Sequence, residues 1–306
     1  MPNFHSGYVA VIGRPNVGKS TLINALLGQK IAAVSPRPQT TRRRQLGIHT
    51  SQETQIVFID TPGLHHPHHK LGQFLNQEAE EALEGVDAIL WLVDIAAEPG
   101  EDDRLIASLL AGLRRRPPIL LGLNKADLVP AEALAVRAGA YSALAEIAAP
   151  LTISAARGDG LPALLEALTA LMPERQPEYP EDQLTDSYER EIAADLIREA
   201  CLLHLRDEVP HAINVRLDEF TERNERGAYI AATIFVERES QKGIIIGEGG
   251  LMLKKIGSSA RQQIEEMSGR KVFIELRVKV AGNWRNNEDK LRQFGYNLET
   301  KKPKKK

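Results

Sequence analysis

The stretch from Gly13 to Ser20, GRPNVGKS, combines residue types that together could bind a phosphate group. Gly13 and Gly18 permit a tight backbone with positive φ, whose N–H groups point at an anion. The helix predicted to begin near Lys19 would aim its positive end at the same anion. Lys19 would reach the terminal phosphates, and the Ser20 hydroxyl would be a ligand of Mg²⁺. The residues predicted to line this phosphate site also include Asn16, Val17 and Thr21.

The elements around this loop support the interpretation over a chance Gly-Lys-Ser turn. An apolar run, 8–12, precedes the loop and a helical pattern, 20–27, follows it. The first half continues this alternation, which predicts an α/β fold with a mostly parallel, doubly wound sheet covered on both faces. Ligands bind such sheets at the carboxyl ends of the strands. Further strands are predicted at 55–59, 88–93, 119–123 and 151–153, and further helices at 72–83, 103–113, 132–147 and 161–171.

Two motifs could complete a metal and γ-phosphate site. Asp60-Thr-Pro-Gly63 follows a predicted strand, so the Asp60 carboxylate can hold Mg²⁺ and the Gly63 amide can approach a γ-phosphate. Two threonines, Thr40 and Thr41, follow the first helix, and we favour Thr41 as the further Mg²⁺ ligand. The alternative is that both are solvated threonines in a basic loop.

A third motif predicts which base is bound. Asn124-Lys125-Ala126-Asp127 follows the strand predicted at 119–123. Asp127 would accept hydrogen bonds from the N1–H and 2-amino groups of guanine, a donor pair that adenine lacks, so GTP is favoured over ATP. Lys125 would lie across the ring. A backbone N–H from the loop Ser154-Ala155-Ala156 would contact the guanine carbonyl.

Composition limits the class of protein. The chain has 306 residues, enough for two domains, and it shows no membrane-length apolar run or signal pattern, so a cytoplasmic protein is expected. The one cysteine, Cys201, falls in a helical pattern and is expected to be buried. Charge is uneven: residues 1–237 carry 22 basic and 33 acidic residues, whereas 238–306 carry 17 and 8. A polyanionic partner should therefore meet the C-terminal end.

A proline-containing stretch without periodicity, 173–183, predicts a linker between two domains. We therefore predict a GTPase domain over 1–172, a second domain over 184–300 and a basic tail over 301–306. The second half is predicted to run helix, strand, strand, helix, glycine loop, helix, strand. The four histidines in 65–69 are interpreted as part of a mobile loop rather than a metal site.

The nucleotide motifs resemble the Era-like branch of the translation-factor class of small GTPases. In that branch the residue after the Asp-X-X-Gly motif is typically apolar, as Leu64 is here, so no glutamine orients the attacking water. The resemblance implies slow hydrolysis of GTP to GDP, with Lys19, Thr41 and Gly63 as catalytic groups. Asn16 motivates a hypothesis of K⁺ dependence, because in some related GTPases an asparagine there helps bind K⁺.

The second half resembles a KH domain of the prokaryotic type, whose glycine loop clamps four backbone nucleotides. Glu248 is an unusual acid in that loop. The RNA contacts that the resemblance implies are Ile246, Gly247, Glu248, Gly249 and Gly250, with Lys242, Lys254 and Lys255 as phosphate contacts.

The two-domain order is typical of Era-like GTPases across nearly the whole chain. It implies GTP-regulated binding of 16S ribosomal RNA near its 3′ end, assistance to assembly of the 30S subunit, and a peripheral contact with the cell membrane. We expect a monomer that does not bind DNA. A nucleotide-bound RNA scaffold with little turnover is the alternative, whereas an RNA-modifying enzyme lacks support because the second half shows no nucleophile or zinc ligands.

Overall fold

The computed structural model describes residues 4–35, 37, 40–145, 150–187, 189–224 and 227–296. Within these ranges the chain forms two β-sheets, and each sheet has its own hydrophobic core. The first half consists of β1 (His5–Ile12), α1 (Lys19–Leu27), β2 (Gln45–Thr50), β3 (Thr54–Asp60), α2 (Lys70–Glu81), β4 (Ala88–Asp94), α3 (Glu101–Ala111), β5 (Ile119–Asn124), α4 (Ala131–Ser142), β6 (Leu151–Thr152) and α5 (Leu161–Thr169).

The first sheet has the order β2-β3-β1-β4-β5-β6 in the described chain, and all neighbouring strands are parallel except β2 and β3. Apolar clusters cover both of its faces. The predicted doubly wound α/β fold is confirmed. Because β1, β3, β4 and β5 are parallel, their carboxyl ends meet at one edge, where the phosphate loop, Asp60, Asp94 and Asn124 lie.

One strand was missed by the sequence prediction, and one helix was predicted too long. Strand β2 is antiparallel to β3 and lies at the sheet edge, so its side chains are only partly buried and give no continuous apolar run. Helix α4 ends at Ser142 rather than at 147, and residues 146–149 lie outside the described part.

The second half forms α6 (Glu189–His204), β7 (Asn214–Asn224), β8 (Gly227–Val236), α7 (Glu239–Ile246), α8 (Leu251–Ser268), β9 (Lys271–Val280) and α9 (Glu288–Gln293). This is the predicted order of elements. Strand β8 is the centre of the described three-stranded sheet, with β7 antiparallel and β9 parallel to it. Helices α6 and α8 cover one face and bury a core that includes Cys201.

The stretch predicted as a linker lies against the first sheet. The Tyr8 hydroxyl donates to Glu178, the Gln55 amide donates to the carbonyl of Tyr179, and the Ser6 N–H donates to the carbonyl of Pro173. These bonds hold the chain along the sheet, so the stretch does not act as a free spacer. The basic tail 301–306 lies outside the described residues.

Candidate functional site

The phosphate loop joins β1 to α1 and has the predicted tight geometry, with one correction. Gly18 has φ of 100° and Asn16 has φ of 65°, so these two residues supply the left-handed backbone. Gly13 was predicted to have positive φ, and this is wrong. A Cβ at Gly13 would lie 2.3 Å from the carbonyl oxygen of Leu92, so glycine is required there for close packing against β4.

Lys19 is buried beneath the loop at the start of α1. Its Nζ donates to the carbonyls of Gly13 and Arg14, each at 3.2 Å. Burial lowers the pKa of Lys19 to about 8, although the nearby Asp60 carboxylate acts to raise it. A small cavity above this lysine is bordered by the loop, by the N-terminus of α1 and by Gly63; its walls include Asn16, Gly18, Ser20, Thr21 and Thr41.

Three oxygen-bearing side chains predicted to hold Mg²⁺ lie together. The Ser20 Oγ is 2.9 Å from the Thr41 Oγ1 and donates to the Asp60 Oδ2 at 2.7 Å, and the Thr41 hydroxyl donates to the same carboxylate oxygen at 3.2 Å. The Thr40 hydroxyl instead donates to the carbonyl of Arg37. Of the two candidate threonines, Thr41 is therefore the one that lies at this cluster.

The cluster fits a hard divalent cation. Asp60 is 1% exposed, and its Oδ1 has no hydrogen-bond partner in the described residues. Burial raises the pKa of Asp60, while Lys19 and the hydroxyls of Ser20 and Thr41 oppose that rise. A buried carboxylate oxygen without a donor, beside two hydroxyls, is a donor set suited to Mg²⁺.

The segment after Asp60 rests directly on the phosphate loop. The Thr61 hydroxyl donates to the carbonyl of Val11, and the N–H of Leu64 donates to the carbonyl of Gly13. A Cβ at Gly63 would lie 2.6 Å from the backbone nitrogen of Pro15. The backbone at Gly63 can therefore approach a phosphate held by the loop only if no side chain is present.

The neighbouring histidines have local partners. His65 Nδ1 lies 2.9 Å from the carbonyl oxygen of Gly63, and His66 Nδ1 lies 3.1 Å from the Asp102 carboxylate. In the described ranges, no group of three or more His, Cys, Asp and Glu side chains is placed to hold a metal ion.

Asn124 connects the phosphate loop to the loop that follows β6. Its Nδ2 donates to the carbonyl of Val17 at 2.7 Å, and its Oδ1 accepts from the N–H of Ala155 at 2.9 Å. The side chain is buried, so both bonds are shielded from water. Asn124 therefore sets the distance between the phosphate and base regions rather than lying free to contact a base.

Asp127 and Lys125 are held at the same edge of the sheet. The Ser154 hydroxyl donates to Asp127 Oδ1 at 2.7 Å, which leaves the other carboxylate oxygen 3.8 Å from the exposed Arg157. Lys125 has φ of 65° and its Nζ donates to Asp94 at 2.6 Å. Ala156 is exposed in the same loop.

Sequence reasoning did not identify Asp94. It ends β4 at the same edge as Asn124, with which it pairs across β4 and β5. An acid at the end of an otherwise apolar strand was the available signal.

The second half presents a groove between α8 and β9. Its floor is apolar, with Leu253, Ile274 and Leu276, and its rim is basic, with Lys254 and Arg261. Gly257 lines the groove from α8, opposite Leu276 of β9. A Cβ at Gly257 would lie 3.4 Å from the Leu276 side chain.

Phe273 borders the groove, and sequence reasoning did not single it out. It alternates with Ile274 along β9, so its ring lies on the face of the strand opposite the groove floor. It is 64% exposed, although it is a large aromatic side chain on a β-strand. Its ring stacks on that of Tyr229, with the centroids 5.8 Å apart. The exposed Leu251 lies just after the glycine loop on α8. Phe273 is the one aromatic residue of β9 and takes a position that alternates with the apolar ones, where the neighbouring residues are polar; this was the signal that the sequence offered.

The predicted glycine loop lies at one end of this groove. Gly247, Gly249 and Gly250 all have positive φ, between 56° and 79°, and connect α7 to α8. Glu248 is exposed in the loop, and Ile246 is half-buried at the end of α7. A Cβ at Gly247 would lie 2.7 Å from the Met252 Cβ, so the loop closes tightly on α8.

The predicted lysines are not all in one place. Lys254 lines the groove, whereas Lys255 is close enough to His204 on α6 to lower the pKa of that histidine, after the larger effect of its burial. Lys255 therefore lies toward α6 and away from the groove. Lys242 lies 3.6 Å from Glu239 on its own helix.

Several contacts join the loop that carries Thr41 to the second half. Glu199 on α6 accepts from the Lys30 Nζ at 2.7 Å and from the Val34 N–H at 2.8 Å. Arg42 is 4% exposed, donates to the carbonyl of Ile213 and lies over the ring of Trp284.

The adjacent Arg43 donates to the carbonyls of Phe294 and Gly295 and lies over the ring of Tyr296. Helix α2 adds an apolar contact between the halves, formed by Leu71, Phe74, Leu75, Trp284, Leu291 and Tyr296. The residues after Thr41 and the helix after Gly63 thus both rest on the second half.

A phosphate loop on a mostly parallel sheet, joined to a KH-type sheet and glycine loop, defines a P-loop nucleotide-binding protein with a nucleic-acid-binding module. Residues 8–125 match the family model described as 50S ribosome-binding GTPase, and residues 208–285 match that of the KH domain. GTPase Era of Ruminiclostridium cellulolyticum is 46% identical over 294 residues, which cover 96% of this chain and 98% of that protein. The chain belongs to the Era family of GTPases.

Other relatives agree over the same length. GTPase Era of a Nostoc species is 47% identical over 300 residues (97% of this chain, 91% of the relative), and that of Staphylococcus haemolyticus is 42% identical over 296 residues (97% and 98%).

Two solved structures share the whole architecture. One is Era in complex with MgGDPNP and nucleotides 1506–1542 of 16S ribosomal RNA, and the other is a variant of Aquifex aeolicus Era bound to GDP and AlF₄⁻. Each has a TM-score of 0.90 and 38% identity, and covers 96% of this chain and 100% of the solved chain. Among the residues that the structure describes, no helix is long and apolar enough to cross a membrane.

Proposed function

We propose that this chain is a GTP-hydrolysing switch that binds 16S ribosomal RNA near its 3′ end and assists assembly of the 30S subunit. One observation carries this proposal. Thr41 lies at the Ser20 and Asp60 oxygens, while the very next residues, Arg42 and Arg43, bind the KH-type half. The same short loop therefore contacts both the metal cluster and the second domain.

The phosphate end of the site is formed by the loop N–H groups and Lys19. Displacement of the Lys19 ammonium from the carbonyls of Gly13 and Arg14 would place it on the β- and γ-phosphates. Ser20, Thr41 and Asp60 would hold Mg²⁺, which when bound neutralises charge on the phosphate oxygens. Gly63 would donate its N–H to the γ-phosphate, so Thr41 and Gly63 both detect whether that phosphate is present.

The base end favours guanine. Asp127 is fixed by the Ser154 hydroxyl through one carboxylate oxygen, so its carboxylate is oriented before the base arrives. An adenine would leave that carboxylate without its donors, which is costly in a partly buried site. Lys125, held by Asp94, would cover the face of the ring, and the N–H groups of the 154–156 loop would contact the guanine carbonyl.

Hydrolysis should be slow without a partner. Leu64 is 2% exposed and carries no group that could orient water, so this chain lacks the glutamine used by other GTPases. Asn16 lines the cavity above Lys19 in which the phosphates would lie, which supports the hypothesis that K⁺ assists turnover. Turnover that is equal in sodium and potassium buffers would contradict that hypothesis.

RNA would bind along the groove between α8 and β9. The glycine loop would clamp the RNA backbone. Phe273, on the other face of β9, offers an exposed ring beside the groove on which a base can stack. Lys254 and Arg261 at the rim would contact phosphates, so affinity should fall with salt. The negative charge of Glu248 lowers the positive electrostatic potential at the glycine loop. Lys255 is a less favourable phosphate contact because it lies toward His204.

Four further predictions complete the proposal: binding to the 30S subunit, a monomeric state, no binding to DNA and a peripheral contact with the cytoplasmic face of the membrane. The Era complex with MgGDPNP and 16S ribosomal RNA nucleotides supports the RNA partner by relationship. The membrane contact depends on the tail 301–306, which lies outside the described residues.

Steady-state phosphate release, measured with and without an RNA oligonucleotide that matches the 3′ end of 16S ribosomal RNA, tests the proposal. We expect Mg²⁺-dependent turnover of GTP but not of ATP, and loss of turnover in Lys19→Ala. Nucleotide binding with no release above that of Lys19→Ala, in either condition, would favour the scaffold alternative and overturn the enzymatic part.

A further inference from the structure

A second basic site lies in a cleft between the two halves, distinct from the phosphate loop and from the groove. The cleft has a volume of about 650 Å³, within the range of small-molecule sites. It is lined by the loop after Thr41, by the N-terminal part of α6, by β7 and by the segment after α9. Its basic side chains are Arg42, Arg43, Arg44, Arg190, Arg198 and Arg216.

These six arginines outnumber the acids that line the cleft, which are Asp186, Glu191 and Asp195. Arg198 and Arg216 each have a carboxylate partner at 2.7 Å. Arg44 and Arg190 are exposed at the rim, and the described residues give their side chains neither an ion pair nor a hydrogen bond. The cleft thus has two guanidinium groups whose N–H donors are available to a ligand, and an excess of positive charge.

Two of the arginines are buried close together. Arg42 is 4% exposed and Arg198 is 3% exposed. Burial lowers the pKa of Arg42, and the neighbouring Arg198 lowers it further, while Asp195 and Tyr296 act in the opposite direction. The Nε of Arg42 has no hydrogen-bond partner among the described residues. Two buried cations near one carboxylate are unfavourable, and an anion in the cleft would offset that cost.

Phosphate is the anion that this geometry fits best. Guanidinium groups present paired N–H donors that match phosphate oxygens, and arginine is the side chain most used for that purpose. We propose that the cleft binds a phosphate group, held at the rim by Arg44 and Arg190, and that its source is either the RNA backbone or a free phosphorylated molecule. Because Arg44 belongs to the loop of Thr41 and Arg190 to α6, the bound phosphate would fasten this loop to the KH-type half.

Titration with inorganic phosphate, followed by ³¹P NMR, tests this site. The full chain is first loaded with Mg²⁺ and a non-hydrolysable GTP analogue, so that the phosphate loop is filled. We expect binding that weakens at least about tenfold in the double variant Arg44→Gln/Arg190→Gln, because charge-assisted bonds are lost. The control Arg104→Gln/Arg206→Gln removes the same charge from exposed arginines elsewhere, and should bind as the unmodified chain does.

A second arm separates the two sources. The salt dependence of RNA affinity is compared in the two double variants, where each lost phosphate contact lowers the log–log slope by roughly 0.7 to 0.9. A lower slope in Arg44→Gln/Arg190→Gln assigns the site to the RNA backbone, and an unchanged slope with weaker phosphate binding assigns it to a free ligand. Absent phosphate binding with an unchanged slope, or phosphate binding that the variant does not alter, overturns the proposal. The phosphate arm needs no RNA, so its result is independent of the proposed RNA function.

Discussion

Substitution Glu199→Gln should weaken the binding of a GTP analogue without a matching effect on GDP, although Glu199 lies on α6 of the second half. Its carboxylate is 4% exposed and accepts from two donors, the Lys30 ammonium and the Val34 N–H. Val34 lines the cavity above the phosphate loop, a few residues before Thr41. Glu199 therefore fixes the start of the loop that brings Thr41 to the metal cluster.

The size of the expected loss of affinity for the GTP analogue follows from these two contacts. Lys30 is 37% exposed, so its ion pair contributes no more than about 1 kcal/mol. Glutamine keeps the shape of Glu199 but replaces a charge-assisted bond to Val34 by a neutral one, a loss of about 1 to 1.5 kcal/mol. The sum is about 2 kcal/mol, or about 30-fold in affinity. GDP lacks the phosphate that requires Thr41, so its affinity should change by less than about threefold.

Equilibrium titration of fluorescent GDP and a fluorescent GTP analogue measures both affinities. The matched control is Glu266→Gln, at an exposed glutamate on α8 that accepts a hydrogen bond from Gln262 on the same helix. It should leave both affinities unchanged. Equal weakening of the two nucleotides by Glu199→Gln would mean general destabilisation, and no weakening of either would mean that α6 does not position the loop. Either result would contradict a role for Glu199 in positioning Thr41.

Experiments at three other residues, Gly63, Phe273 and Cys201, have defined outcomes. In Gly63→Ala the new Cβ would lie 2.6 Å from the backbone nitrogen of Pro15, so the segment after Asp60 must move away; phosphate release should fall at least about tenfold while GDP affinity is kept. Phe273→Ala should weaken RNA binding by about 1 to 3 kcal/mol in a filter-binding assay, because an exposed stacking surface is lost, whereas Val280→Ala on the same strand should not. The Cys201 thiol is buried, and burial raises its pKa to about 12, so a thiol reagent at pH 8 should label the native chain far more slowly than the chain in denaturant. In the unfolded chain the pKa of this thiol is near its ordinary value of 9.0. The contribution of Cys201 to the free energy of unfolding is therefore constant below pH 9 and is lost as pH rises from about 9 toward 12. In urea unfolding curves, Cys201→Ser should remove that decline.

The helices, most strands and the nucleotide-binding motifs were predictable because each depends on a short stretch of consecutive residues. Apolar strands such as β4 and β5 are buried on both faces and form continuous apolar runs in the sequence, so these strands and the loops after them could be predicted. Strand β2 could not be predicted in the same way, because an edge strand shows only partial burial. The role of Gly13 was misjudged since a close approach to Leu92 leaves no signal in neighbouring residues.

Contacts between the two halves could not be predicted, because no short sequence pattern marks the residues that make them. Arg42 stacks on Trp284 and Arg43 on Tyr296, residues more than 200 positions away, and a basic run alone does not specify an aromatic partner. The same reason explains Glu199, which looks in sequence like an ordinary polar position on an amphipathic helix. The side of α8 on which Lys255 lies depends on how α6 packs against it, which the run of two lysines does not determine.

The coupling between bound nucleotide and RNA is tested by the affinity for a labelled oligonucleotide from the 3′ end of 16S ribosomal RNA, measured with the chain loaded with GDP or with a non-hydrolysable GTP analogue. We expect clearly tighter binding in the GTP-like state, since Thr41 and Gly63 would then fix the loop and helix that contact the KH-type half. Equal affinity in the two states would contradict the coupling, and no binding in either state would contradict the RNA interface itself.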